Sequence, residues 1–122
     1  MSILLDTVIL IDHFNGIIEA TDFIKKNSKN IVLSVVTRAE VLVGFSPEIP
    51  IPVIKLLDQF PLLGIDRETA DLAAQLRQKY RWKLPDAFQA ALAKQHDCRL
   101  ATRNTKDFDP ERHDFVVVPY QI

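Results

Sequence analysis

At 122 residues, with 48% hydrophobic and 25% charged side chains, the chain has the length and composition of one globular domain, 1–122, with a single full core. Three glycines and no low-complexity run exclude a chain dominated by disorder. The net charge of −1 argues against a general nucleic-acid coat protein, but leaves room for an enzyme whose acidic site is flanked by local basic residues.

The chain opens with Ser2-Ile3-Leu4-Leu5-Asp6-Thr7. An apolar run without polar alternation predicts a strand buried on both faces, as in a parallel sheet covered by helices. Asp6 and Asp12 interrupt the apolar N-terminus, which also lacks a basic leader segment and a cleavage site, so no signal peptide is expected. No run approaches the ~18 apolar residues of a membrane span. Asp6 or Thr7 can cap a helix carrying Val8, Leu10, Ile11 and Phe14, which Asn15-Gly16 breaks. A second helix is expected over about 17–26, ending in Lys25 and Lys26, where cations suit the helix dipole.

Ile31-Val32-Leu33 reads as a second strand, followed by Ser34 and Thr37 as candidate caps and a helix stopping near Gly44. Pro47, Pro50 and Pro52 punctuate a loop before a short helix over 53–60. A third strand is expected over 61–65. Asp66 then caps a helix on which Ala70, Ala73, Leu76 and Tyr80 recur at helical spacing. Pro85 suits the first turn of the next helix, where Ala87, Ala90, Ala91 and Ala93 permit close packing on a sheet. Cys98, alone and between Asp97 and Arg99, reads as a packing residue and fits a reducing cytoplasm. Strands over 99–102 and 115–118 complete a three-layer α/β/α sandwich around a central, mainly parallel five-stranded sheet.

On this scheme Asp6, Glu40, Asp86 and Asp107 fall near one edge of the sheet. Open α/β sheets bind ligands in the crevice at the carboxyl ends of their strands. Carboxylates gathered there with few His or Cys neighbours suit Mg²⁺ or Mn²⁺, and such ions can activate water and stabilise the leaving oxygen of a phosphodiester. Each position also has a plain structural reading. Thr37-Arg38-Ala39-Glu40 matches a capping box, Asp86 suits a first helical turn, Asp107 a turn, and Asp6 a helix cap. The residues alone leave both readings open.

Four stretches resemble PIN-domain ribonucleases, especially the VapC-type toxins of toxin–antitoxin pairs. They are Leu4-Leu5-Asp6-Thr7-Val8-Ile9-Leu10-Ile11-Asp12, Ser34-Val35-Val36-Thr37-Arg38-Ala39-Glu40-Val41-Leu42-Val43-Gly44, Leu84-Pro85-Asp86-Ala87-Phe88-Gln89-Ala90-Ala91-Leu92-Ala93 and Leu100-Ala101-Thr102-Arg103-Asn104-Thr105-Lys106-Asp107-Phe108. Their order and spacing span nearly the whole chain. The resemblance implies a PIN-like fold and an Mg²⁺- or Mn²⁺-dependent endoribonuclease acting on RNA. Asp6, Glu40, Asp86 and Asp107 would be its metal-binding carboxylates, with Thr102 and Asn104 as polar supports. It also implies a homodimer held in check by a small antitoxin. The chain departs from many relatives in the proline-rich segment after Gly44, and in Arg81-Trp82-Lys83 where a glycine is common.

Arg38, Arg81, Lys83, Arg103 and Lys106 flank the acidic motifs and are expected either to hold RNA phosphates or to be solvated surface charges. Trp82 fits a base-stacking residue or the cover of a hydrophobic patch. His13, His96 and His113 lack metal-ligand spacing and read as helix-terminal or surface residues. Two further readings remain. A phosphoacceptor receiver domain would use Asp66 and Lys106, but Asp6 is followed by Thr7 where that chemistry needs a second acid. A catalytically silent PIN domain would only bind RNA or protein. A dinucleotide enzyme is disfavoured because no glycine-rich loop follows the first strand.

Overall fold

Leu4 and Leu5 are both fully buried, and they belong to two different hydrophobic clusters. Successive strand residues point to opposite faces, so the strand carrying them, β1 (Ile3–Leu5), is covered on both sides. The computed structural model, which describes all 122 residues, continues with α1 (Thr7–Phe14), α2 (Ile18–Asn27), β2 (Ile31–Ser34), α3 (Val35–Phe45), α4 (Ile51–Asp58) and β3 (Leu62–Leu63). Then come α5 (Arg67–Tyr80), α6 (Leu84–Gln95), β4 (Arg99–Ala101) and β5 (Val116–Val117). The five strands form one sheet in the order β3-β2-β1-β4-β5, and every pairing is parallel. In register, Leu4 lies between Val32 and Leu100. The expected α/β/α sandwich is therefore present.

One core cluster joins Leu4, Leu100 and Val116 to Ala73 and Leu76 of α5 and to the alanines of α6. Ala87, Ala90, Ala91 and Ala93 are all fully buried, so α6 lies close against the sheet as its small residues predict. The second cluster joins Leu5, Ile31, Leu33 and Ala101 to residues of α1, α2, α3 and α4. On α5 the buried face is Thr69, Ala73 and Leu76, while Ala70 points outward.

The edge strands are shorter than expected. β3 keeps only two of the residues over 61–65, and its Leu62 is half exposed. A strand paired on one side only gains less from extension, and short edges resist pairing with other chains. The capping box expected at Thr37 is not formed. Ser34 is the N-cap of α3, its hydroxyl accepting from Thr37 N at 3.0 Å, which leaves Glu40 two turns inside the helix. That helix also runs one residue past Gly44. Asp66 caps α5 as expected, with Thr69 completing a capping box.

Candidate active site

The chain leaves β1 toward β2 and β3, then returns to the other side of β1 with β4. The strand order thus reverses between β1 and β4, and in such sheets this reversal opens a crevice at the carboxyl ends. Asp6 follows β1 and Thr102 follows β4, so both face that crevice. Asp6 is buried, and both of its carboxylate oxygens are held. Oδ1 accepts from Thr7 N at 2.9 Å and from the Gln89 side-chain amide at 3.4 Å, and Oδ2 accepts from the Thr102 hydroxyl at 2.6 Å. Asp6 is thus the N-cap of α1, as its plain structural reading expects, and it also lies at the crevice.

Gln89 is the central polar residue that the sequence reading missed. It is only 1% exposed, and its amide donates to the Thr37 hydroxyl at 2.6 Å while its carbonyl oxygen accepts from the Ser34 hydroxyl at 2.6 Å. A buried amide needs such partners to offset its desolvation. Here they tie α6 to the start of α3 directly beneath Asp6. The available signal was one glutamine among the buried alanines of α6.

The other carboxylates arrive from separate elements. Glu40 of α3 accepts from the Thr7 hydroxyl at 2.6 Å. Asp107 is held by Asn104, whose amide donates to Oδ2 at 3.0 Å, and its backbone carbonyl accepts from the Trp82 indole N–H at 2.9 Å. Thr102 accepts from Asn104 N at 2.9 Å, so the two expected supports form one chain linking Asp6 to Asp107. Asp86, half-buried in the first turn of α6, feels all of them. Its carboxyl is pushed up to about 6 by burial and by repulsion from Asp6, Asp107 and Glu40, with Lys83 opposing.

The groups are carboxylate oxygens with no His or Cys among them, which is the chemistry of Mg²⁺ and Mn²⁺ sites. The repulsion at Asp86 is uncompensated negative charge that a cation would relieve. No three acidic or histidine side chains in the structure already close into a ligand cluster. The donors fit in kind and charge, and the cage is not preformed.

The chain thus pairs a parallel five-stranded sheet in this order with four carboxylates near its reversal point. The profile of the PIN domain matches residues 3–110. The chain belongs to the PIN-domain family. Members of this family are generally nucleases, and those nucleases typically depend on a divalent metal. This PIN domain is 38% identical to a chain in a toxin–antitoxin complex from Klebsiella pneumoniae, with a TM-score of 0.89 and a match covering 99% of this chain and 100% of that one. It shares its fold with FitAcB from Neisseria gonorrhoeae (24% identity, TM-score 0.77, 98% and 99% covered). It also shares it with VapBC2 from Rickettsia felis, solved with a DNA fragment from their promoter (19% identity, TM-score 0.77, 96% of each chain covered). No curated relative matches the PIN domain by sequence. The resemblance to PIN domains read from the four motifs therefore holds.

The basic residues of this PIN domain have different surroundings. Arg38 pairs with Asp58 at 2.8 Å on the surface. Lys83 is the N-cap of α6, and Arg81 ends α5 in a left-handed conformation with φ 61°. Arg81 and Lys106 line a surface depression with Lys79, Arg112 and Asp107. Arg103 instead forks onto Asp12, with Nε–Oδ2 at 2.6 Å. Trp82 is 3% exposed, stacked on Tyr80 at 4.6 Å and packed against Phe108 and His113. It is a core residue, and the base-stacking reading falls. His13 bonds Thr21 at 2.7 Å in the last turn of α1, and His96 caps the end of α6. His113 departs from the surface reading, because it is buried among aromatic rings. Cys98 is buried, in keeping with a packing role.

Proposed function

We propose that this PIN domain is an Mg²⁺- or Mn²⁺-dependent endoribonuclease and the toxin of a toxin–antitoxin pair. The observation that carries the reading is the meeting of Asp6, Glu40, Asp86 and Asp107, brought by four elements to the reversal point of the sheet and felt together at Asp86. These four carboxylates would hold the cation. When bound, it supplies an activated water and charge neutralisation at the phosphodiester.

The chain's own residues prepare that site. Thr102 and Gln89 hold Asp6, Asn104 holds Asp107, and Thr7 holds Glu40, which limits how far each carboxylate can turn. Lys83 acts on Asp86, and Arg81 and Lys106 line a depression with Asp107; these three would hold phosphates of the RNA strand. Arg38 would join them by leaving its exposed partner Asp58, since surface ion pairs of this kind are worth only about 0–1 kcal/mol.

Full-length similarity to a chain of the Klebsiella complex supports a small protein antitoxin as partner. The exposed Val43 of α3 and Ile51 of α4 offer apolar surface for a homodimer or for that antitoxin. No helix is long and apolar enough to cross a membrane, and the cytoplasm is the proposed location. The test is cleavage of single-stranded RNA with Mn²⁺ or Mg²⁺. Asp6→Asn and Asp86→Asn should abolish cleavage while the circular dichroism spectrum stays unchanged, and EDTA should silence the wild type. Cleavage surviving both substitutions, or excess EDTA, defeats the mechanism. Folded wild type that binds RNA without cutting it favours the silent PIN domain.

A further inference from the structure

Arg103 stands between two residues that serve the acidic site. Its neighbour Thr102 donates to Asp6, and its other neighbour Asn104 donates to Asp107. The guanidinium itself turns away from both. Its Nε donates to Oδ2 of Asp12 at 2.6 Å and its Nη2 to Oδ1 at 2.9 Å. Asp12 is buried on α1, six residues beyond Asp6, and its Oδ2 also accepts from the Tyr120 hydroxyl at 2.8 Å. Three segments far apart in the chain therefore meet at one carboxylate.

A planar fork matched to two carboxylate oxygens fixes direction as well as distance. Held in this way at Arg103, and through Thr102 at Asp6, the loop is tied to both ends of the α1 segment that carries Asp6. A phosphate-binding arginine would have to give up a buried partner, and breaking such a pair is strongly unfavourable. Asp12 and Tyr120 have no reach to a substrate through Arg103 except by setting where this loop lies.

We infer that Arg103 is a positioning residue of the acidic site, its fork on Asp12 closed by Tyr120 and holding the 102–107 loop so that Thr102 and Asn104 present Asp6 and Asp107 to a divalent cation. This rests on the reading that the acidic set takes such a cation. The fork belongs to the second layer around the ligands, where loss of a partner typically weakens metal binding or activity about 10- to 100-fold.

The test uses the full chain and Mn²⁺, with binding measured by isothermal titration and cleavage of a single-stranded RNA measured separately. Arg103→Met should weaken Mn²⁺ binding about tenfold and lower kcat by a similar factor, with KM within about twofold of wild type. Arg103→Lys, which keeps the charge but loses the fork, should not restore either. Tyr120→Phe removes one hydroxyl and should move both in the same direction by less. It decides the matter if Arg103→Met does not fold. Unchanged Mn²⁺ binding in the folded variants, with only a lower melting temperature, makes the fork merely stabilising and overturns the inference. So does a raised KM with a shallower salt dependence and unchanged kcat, which would make Arg103 a phosphate contact. Wild type that binds Mn²⁺ but cuts no RNA defeats the nuclease reading and leaves the fork to be judged on binding. Wild type that binds no Mn²⁺ overturns both.

Discussion

Replacing Asp86 by Asn removes a charge from the most crowded point of the acidic cluster while keeping the size of the side chain. Burial and three neighbouring carboxylates raise the Asp86 carboxyl from the usual 3.8 to about 6, and no hydrogen bond is among the influences on it. At about 1.4 kcal/mol per tenfold change in proton affinity, that rise corresponds to roughly 3 kcal/mol against the charged form. The carboxyl is half exposed, so solvent screening reduces this to about 1–2 kcal/mol. Loss of its favourable place in the first turn of α6 takes back about 0.5 kcal/mol. The metal-free Asp86→Asn variant should therefore be about 1 kcal/mol more stable than wild type at pH 7. Because the folded protein holds this proton more tightly than the unfolded chain, the wild-type contribution is fully present below about pH 3.8 and is lost as pH rises through about 6. The gap between the two proteins should thus open over that window. Urea denaturation in EDTA at pH 4 and pH 7 measures it, and at pH 7 the melting temperature should rise by about 3–5 °C. Saturating Mn²⁺ should reverse the order, since only wild type would gain binding energy. A variant equal to or weaker than wild type at pH 7 in EDTA refutes the account of strain at this carboxylate.

Two other outcomes are expected. Thr102→Val removes a buried hydroxyl that donates to Asp6 and accepts from Asn104 N. It should cost about 1–3 kcal/mol in urea denaturation and lower kcat by about tenfold or more, with KM little changed. Trp82 is the single tryptophan and is almost fully buried. Its fluorescence should be poorly quenched by acrylamide and unmoved by saturating RNA on the Asp86→Asn variant, whereas Trp82→Ala should lose about 3–5 kcal/mol. An RNA-dependent change in that emission would return Trp82 to the substrate surface.

What could be read from the sequence is what local pattern encodes. Leu4-Leu5 and Ile31-Val32-Leu33 lack alternation because both faces of a parallel strand are covered, and that alone suggests the sandwich. The alanines of α6 state how closely it lies on the sheet. Asp6, Asp86 and Asp107 stand out because they lie at the start of a helix or after a strand, and Glu40 because it is an acid within the apolar helix after β2. What escaped was fixed by distant partners. Thr37 offered a plausible cap, but Ser34 three residues earlier won because it ends β2 and sits where the backbone turns into the helix. Gln89 carries no local signal for its role, since its partners Ser34, Thr37 and Asp6 lie more than fifty residues away in the chain. Arg103 resembled any basic residue beside an acidic motif, and nothing near it in the chain names Asp12 or Tyr120. Trp82 lies between two charged residues, yet its partners Phe108 and His113 come from a segment some 26 residues later and draw the ring inward.

The strand order also bears on how the chain comes into being. β1 is made first but lies in the middle of the sheet, with β2 and β3 on one side and β4 and β5 on the other. As a nascent chain leaves the ribosome, Asp6 and Glu40 can meet once β2 and α3 have emerged. Asp86 and Asp107 must wait for α6 and for β4, which pairs directly with β1. A chain stopped before residue 86 therefore holds only two of the four carboxylates and leaves the β4 side of β1 unpaired. The set of four carboxylates is therefore completed late, as a property of almost the whole chain.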